Sequence, residues 1–160
     1  MKGSPDVITS LQEAVNMEAS LAEVYGLNGA ALKKGLGVKT GSELKGLGKQ
    51  CKCYKKKLMK SLFLYDVAIE VAPDIATIAA DIPTTLSELL SLEMDIITHY
   101  TDMMEIAWAA KDADVFHLAQ HLVLRHKVGD RDFDGHVRYL EHEQKQLAAL
   151  GLVNYITAHV

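Results

Sequence analysis

Apolar residues recur three and four positions apart along most of this chain, the period of a helix with one buried face. The first run extends from about Pro5 to Lys34 on Leu11, Ala14/Val15, Leu21/Ala22 and Tyr25. Ser4 suits the cap, Pro5 the first helical position and Asp6 the positive end of the dipole. Gly35 and Gly37 end it. The second run starts near Ser42 and reaches about Ile69 on Leu44, Leu47, Cys51, Tyr54, Leu58, Leu62 and Tyr65. Gly46 and Gly48 each cost about 1 kcal/mol against Ala in a helix, so its first turns are weakly specified. The third run starts at Thr84 or Thr85 and continues to about Lys111 on Leu86, Leu89/Leu90, Ile96/Ile97 and Tyr100. The fourth starts near Asp112 or Asp114 and runs to Leu150, with a polar break around Gly129-Asp130. Beyond the break, Phe133, Val137, Leu140, Gln144 and Leu147 resume the period. Gly151 stops it, and Leu152 to Val160 makes one or two further turns. No strand-like alternation persists, so the pattern is all-α.

Residues 70–83 separate the second and third runs and carry Pro73 and Pro83. A tight helix hairpin needs fewer residues. A link of this length implies a crossover between parallel helices, and Ile75, Ile78 and Ile82 let it lie against a bundle. At 160 residues the chain reads as a single domain, 1–160. Its 49% hydrophobic content and three prolines exclude a disordered chain. No apolar run reaches membrane-spanning length, so no membrane partner is expected. The opening Met1 to Asp6 lacks a signal-peptide core, which implies a cytoplasmic protein. Two cysteines one residue apart fit a reducing compartment. A net charge of −4 offers no reason to expect nucleic acid. Locally, Lys49, Lys52, Lys55, Lys56, Lys57 and Lys60 form a basic run, which reads as a solvated helix face.

Glu18, Glu93 and His136 are ionisable and lie on or beside faces their helices should bury. A buried charge needs a partner. Either each pairs with a Tyr, Lys or Arg, or three helices converge on a metal such as Fe, Mn or Zn. Four-helix carboxylate proteins place a Glu on each of two helices and a Glu-x-x-His on each of the others. His117 and His121, one turn apart beside Asp114, read as a surface metal clip or as exposed side chains. His99, His126, His142 and His159 carry no signal, and Met103, Met104 and Trp108 read as core.

Several stretches together resemble the bacterioferritins. They are the opening Met1-Lys2-Gly3 with Val7-Ile8, Leu11, Glu18 and Tyr25; Leu62-Phe63-Leu64; Ile78 and the run from Leu86 to Glu93; Gly135 to Glu141; and the tail Leu150 to Ile156. The similarity spans nearly the whole chain and is weak across the second helix. It implies a ferritin-like four-helix bundle with a long B–C crossover between the second and third helices and a short C-terminal fifth helix. It also implies two-fold dimers building a twenty-four-subunit cage, or a mixed cage with a second ferritin subunit. Such cages oxidise ferrous ions and store the ferric mineral.

Carried over by the resemblance, the iron ligands become Glu18 on the first helix and Glu93 on the third. The second helix supplies Gln50 and Cys53, and the fourth supplies Phe133 and His136. Gln is uncharged and Phe cannot bind, so the ferroxidase site is remodelled or impaired; Asp132 or Asp134 would need a local shift to compensate. A one-residue shift along the second helix would put Cys51 and Tyr54 at its ligand positions instead. Gly35-Leu36 and Phe63-Leu64, as flanking landmarks, favour the first register. Family members also hold haem b between two subunits through a methionine just after the second-helix Glu. That position is Cys51 here, and a thiolate is an accepted haem ligand. Cys53 also suits a softer metal beside Glu18, Glu93 and His136. The leading expectation is an iron-storage cage subunit holding non-haem iron. The alternatives are a haem or thiolate redox protein without storage, and a purely structural cage subunit.

Overall fold

A computed structural model describes residues 3–32, 38–69, 71, 82–127, 142 and 145. Four helices follow in order: α1 (Pro5–Leu32), α2 (Val38–Phe63), α3 (Ile82–Ala109) and α4 (Ala113–Lys127). No strand occurs among the described residues.

The start of α1 follows from its local chemistry. Ile8 donates to the Ser4 carbonyl at 3.0 Å, closing the first turn around Pro5. The anticipated stripe is buried: Val7, Leu11, Ala14, Val15, Leu21, Ala22 and Tyr25 belong to one core. α2 opens four residues before Ser42 and closes at Phe63, short of Ile69. Its end is a turn over Leu64-Tyr65-Asp66, with Asp66 left-handed at φ 55°, a conformation Asp tolerates.

α1 and α2 run antiparallel at close quarters. A Cβ on Gly29 would come within 2.8 Å of the Gly41 carbonyl oxygen and 3.0 Å of the Lys45 nitrogen. One on Gly48 would meet the Ala22 oxygen and Tyr25 Cβ, each at 3.1 Å. The helix cost of Gly48 is therefore incurred where two backbones approach.

α3 ends in a Schellman motif with Lys111 at φ 56°. Asp112 N donates to Ala107 O at 2.9 Å, and Lys111 N to Trp108 O at 3.1 Å. Asp112 then caps α4, accepting from Val115 N at 3.1 Å. Its other carboxylate oxygen accepts the Tyr65 hydroxyl, tying this corner to the end of α2. Both α2 and α3 run antiparallel to α1: α1 residues 25 and 18 face α3 residues 93 and 100 in turn. Hence α2 and α3 are parallel to each other, as a long crossover requires.

The fifth-helix segment, Ile75 and Ile78 lie outside the described residues, as does the chain beyond Lys127 apart from two positions. Trp108, expected in the core, is 74% exposed. It follows the buried Ala107 on α3 and so falls on the outer face. Among the described residues, no helix is long and apolar enough to cross a membrane.

Candidate site at the bundle centre

Each helix sends polar groups to one interior point. Glu18 and Tyr25 come from α1, Glu93 and Tyr100 from α3, and His126 from α4; all five are buried. His126 stands between the two acids, with Nδ1 2.6 Å from Glu93 Oε2 and Nε2 2.7 Å from Glu18 Oε1. Tyr100 donates to Glu18 Oε1 at 2.6 Å, and Tyr25 to Glu93 Oε1 at 2.7 Å. The rings of Tyr54 and Tyr100 flank the imidazole, with centroids 5.3 and 5.8 Å from it.

Burial alone would lower the His126 pKa. Charge interaction and hydrogen bonding with Glu18 and Glu93 outweigh it and raise it from 6.5 to about 10. At neutral pH the ring is therefore an imidazolium donating from both nitrogens. Burial first, then Glu93, pushes the Tyr25 hydroxyl well above its ordinary value; burial first, then Glu18, does the same to Tyr100. Both phenols remain donors. Glu18 Oε2 is buried and has no hydrogen-bond partner among the described residues.

α2 presents Cys51 and Tyr54 to this centre, both buried. Burial, then Glu18 and Glu93, holds the Cys51 thiol well above its usual range, so it stays protonated. Burial pushes Tyr54 up to about 12. Cys53 is exposed and Gln50 half-buried, and the structure does not bring either to Glu18 and Glu93. α2 thus takes the register in which Cys51 and Tyr54 face inward. Leu47, Cys51, Tyr54 and Leu58 form a continuous buried stripe, and turning Gln50 and Cys53 inward would expose it.

His136, with Phe133, Asp132 and Asp134, lies outside the described residues. His126, which carried no signal as an isolated histidine, holds the interior position. Its spacing did contain the information: Val115, Ala119 and Leu122 are buried at intervals of four and three, and His126 is the next member. The residue three before it is Val123, which supplies no ligand atom.

A two-iron centre of the four-helix type needs an acid from every helix. Here α2 offers a thiol and a phenol, α4 offers Val123 beside His126, and both histidine nitrogens are engaged by carboxylates. The described residues by themselves do not make up a two-iron centre of that kind. Among the described residues, no group of three or more His, Cys, Asp or Glu side chains is disposed to hold a metal ion. A haem ligand between subunits must point outward, whereas Cys51 is 2% exposed and points into the bundle. The next residue, Lys52, is the outward one. Cys51 therefore does not fit a haem site of that kind. Of the two readings of His117 and His121, the structure shows His117 exposed and His121 Nε2 facing Lys57 Nζ at 3.2 Å.

Outside the centre, with Tyr54 as the shared wall, lies a surface cavity of about 380 Å³. Lys49, Gln50, Cys53, Lys57 and Arg125 also line it. Its mouth is basic.

An antiparallel bundle with a long parallel crossover and acids meeting at its centre is a ferritin-like fold. No family model matches the sequence, and no curated protein matches it. Among solved structures, the chain is similar to a mycobacterial bacterioferritin at a TM-score of 0.78 and 16% identity, covering 100% of this chain and 96% of that one. It is likewise similar to the Mycobacterium tuberculosis bacterioferritin at a TM-score of 0.74 and 15% identity, covering 98% and 94%. The fold is that of the bacterioferritins; at these identities the likeness is one of fold.

Proposed function

We propose that this chain is a subunit of a cytoplasmic, bacterioferritin-like iron-storage cage whose own bundle centre does not oxidise iron as a two-metal site. Iron here is cargo. The bacterioferritin fold supports the cage and the storage role. The observation that carries the altered centre is the position of His126. An imidazolium bridging both interior carboxylates supplies the positive charge that a metal pair would otherwise supply. The basic mouth beyond Tyr54 acts in the same direction, because Lys49, Lys57 and Arg125 repel an approaching divalent cation. Oxidation then falls to a second ferritin subunit in a mixed cage, or to the growing mineral surface.

The test is aerobic Fe(II) oxidation by the purified homomer, read beside its mass in solution. A large hollow assembly that accumulates ferric mineral slowly, with no fast phase of two irons per chain, is the expected result. A rapid two-iron phase abolished by Glu18→Ala would overturn the altered centre. A chain that stays monomeric and retains no iron would overturn the storage role.

A further inference from the structure

The bundle centre is braced on three sides. On the α1–α2 side the backbones approach so closely at Gly48 that an added Cβ would meet the Ala22 oxygen at 3.1 Å. Between α1 and α3, Tyr25 is bonded to Glu93 and Tyr100 to Glu18. Between α3 and α4, His126 is bonded to Glu93. The α2–α4 side differs. There the ring of Tyr54 stands between the centre and the surface. It is 8% exposed, its centroid lies 5.3 Å from that of the His126 ring, and it also lines the α2–α4 cavity. Two further surface cavities among the described residues, at the α3–α4 corner and beside Tyr65, include no residue of the centre.

Tyr54 also differs in how it is held. Of the four described tyrosines, Tyr25, Tyr65 and Tyr100 each donate to a carboxylate. The Tyr54 hydroxyl donates to none among the described residues, and packing holds the ring. Turning it aside therefore breaks no such bond. Rotating any of the other three would strand a donor and an acceptor, which costs more. The cavity, of about 380 Å³, gives the Tyr54 ring a place to go.

We propose that Tyr54 is the gate of the bundle centre: small neutral molecules, of the size of water, dioxygen or hydrogen peroxide, pass its ring from the α2–α4 cavity to reach His126 and Cys51. Polarity sets the class, because an ion entering this interior loses its water without gaining a partner, whereas a small neutral molecule loses far less. The route belongs to the single chain and is independent of iron storage. Cys51 is its built-in reporter. It is 2% exposed, lies three residues before Tyr54 and shares its buried stripe on α2.

The experiment follows modification of Cys51 in the full-length Cys53→Ser protein at fixed pH. The probe is methyl methanethiosulfonate, a small neutral reagent that converts a thiol to a mixed disulfide, and intact mass gives the rate. Tyr54→Ala is expected to speed the modification about tenfold or more, because the barrier is then permanently open. Tyr54→Leu, which keeps apolar packing but removes the ring, should act in the same direction and carries the test should the alanine variant fold poorly. Leu58→Ala controls for general loosening. It removes a fully buried side chain one turn further along the stripe and outside the cavity lining. It should change the rate by less than about threefold. Selective acceleration by the Tyr54 variants supports the gate. Equal acceleration by Leu58→Ala overturns it, as does an unchanged rate in the Tyr54 variants.

Discussion

His126 carries more of this interior than any other single side chain. Its two nitrogens hold Glu18 and Glu93, both buried in the bundle interior. Removing one partner from a buried ion pair costs about 3–5 kcal/mol, because the remaining charge is left uncompensated. His126→Leu is therefore expected to lower stability by that order in chemical denaturation. The wild type also carries a pH signature. The folded-state pKa of His126, about 10, lies above its unfolded value of 6.5. The folded state binds the extra proton, so this contribution is complete below 6.5 and lost as pH rises through about 10. Nitrogen NMR at neutral pH should show both ring nitrogens protonated, and the unfolding temperature should fall across that window. A neutral tautomer at neutral pH would contradict the bridging imidazolium.

At the scale of elements, α1 and α2 approach through glycine. Gly26 and Gly29 sit one turn apart on α1 and look alike in sequence, yet only Gly29 faces the α2 backbone. Gly29→Ala forces a Cβ against the Gly41 oxygen and Lys45 nitrogen, and should destabilise by about 1–3 kcal/mol, the range for overpacking. Gly26→Ala meets nothing within 4 Å and should stabilise by up to about 1 kcal/mol through helix propensity. Opposite signs in thermal unfolding check the close approach; equal effects would refute it. The periodicity located all four described helices and the stripes of α1 and α2. It misplaced the ends of α2, because the Leu64-Tyr65-Asp66 turn is held by tertiary contacts such as Tyr65 with Asp112.

For the whole molecule, the consequence lies in what the four helices share. Glu18 and Glu93 provide two acids, His126 one imidazole, and α2 none of the acidic ligands. The triple variant Cys51→Glu, Tyr54→His, Val123→Glu would place a Glu-x-x-His on both α2 and α4, the pattern that completes a two-metal centre. The apoprotein should lose stability from the added buried charge and regain it with Fe(II), and a fast aerobic iron-oxidation phase absent from the wild type should appear. Failure to gain either property would mean that the centre differs from such sites in more than its ligands.

The one-dimensional pattern by itself determined the all-α class, the four helical runs, the long link between the second and third, and two of the central acids. Glu18 and Glu93 were readable because each interrupts an apolar stripe, and a charge on a buried face must have a reason. Tertiary structure alone decided which α2 residues turn inward and that His126 meets the acids. Helical period constrains a side chain's direction only to within about one residue, some 100° of rotation. Burial against α1, α3 and α4 resolves it, selecting Cys51, Tyr54 and His126 because the apolar residues a turn away must also be buried.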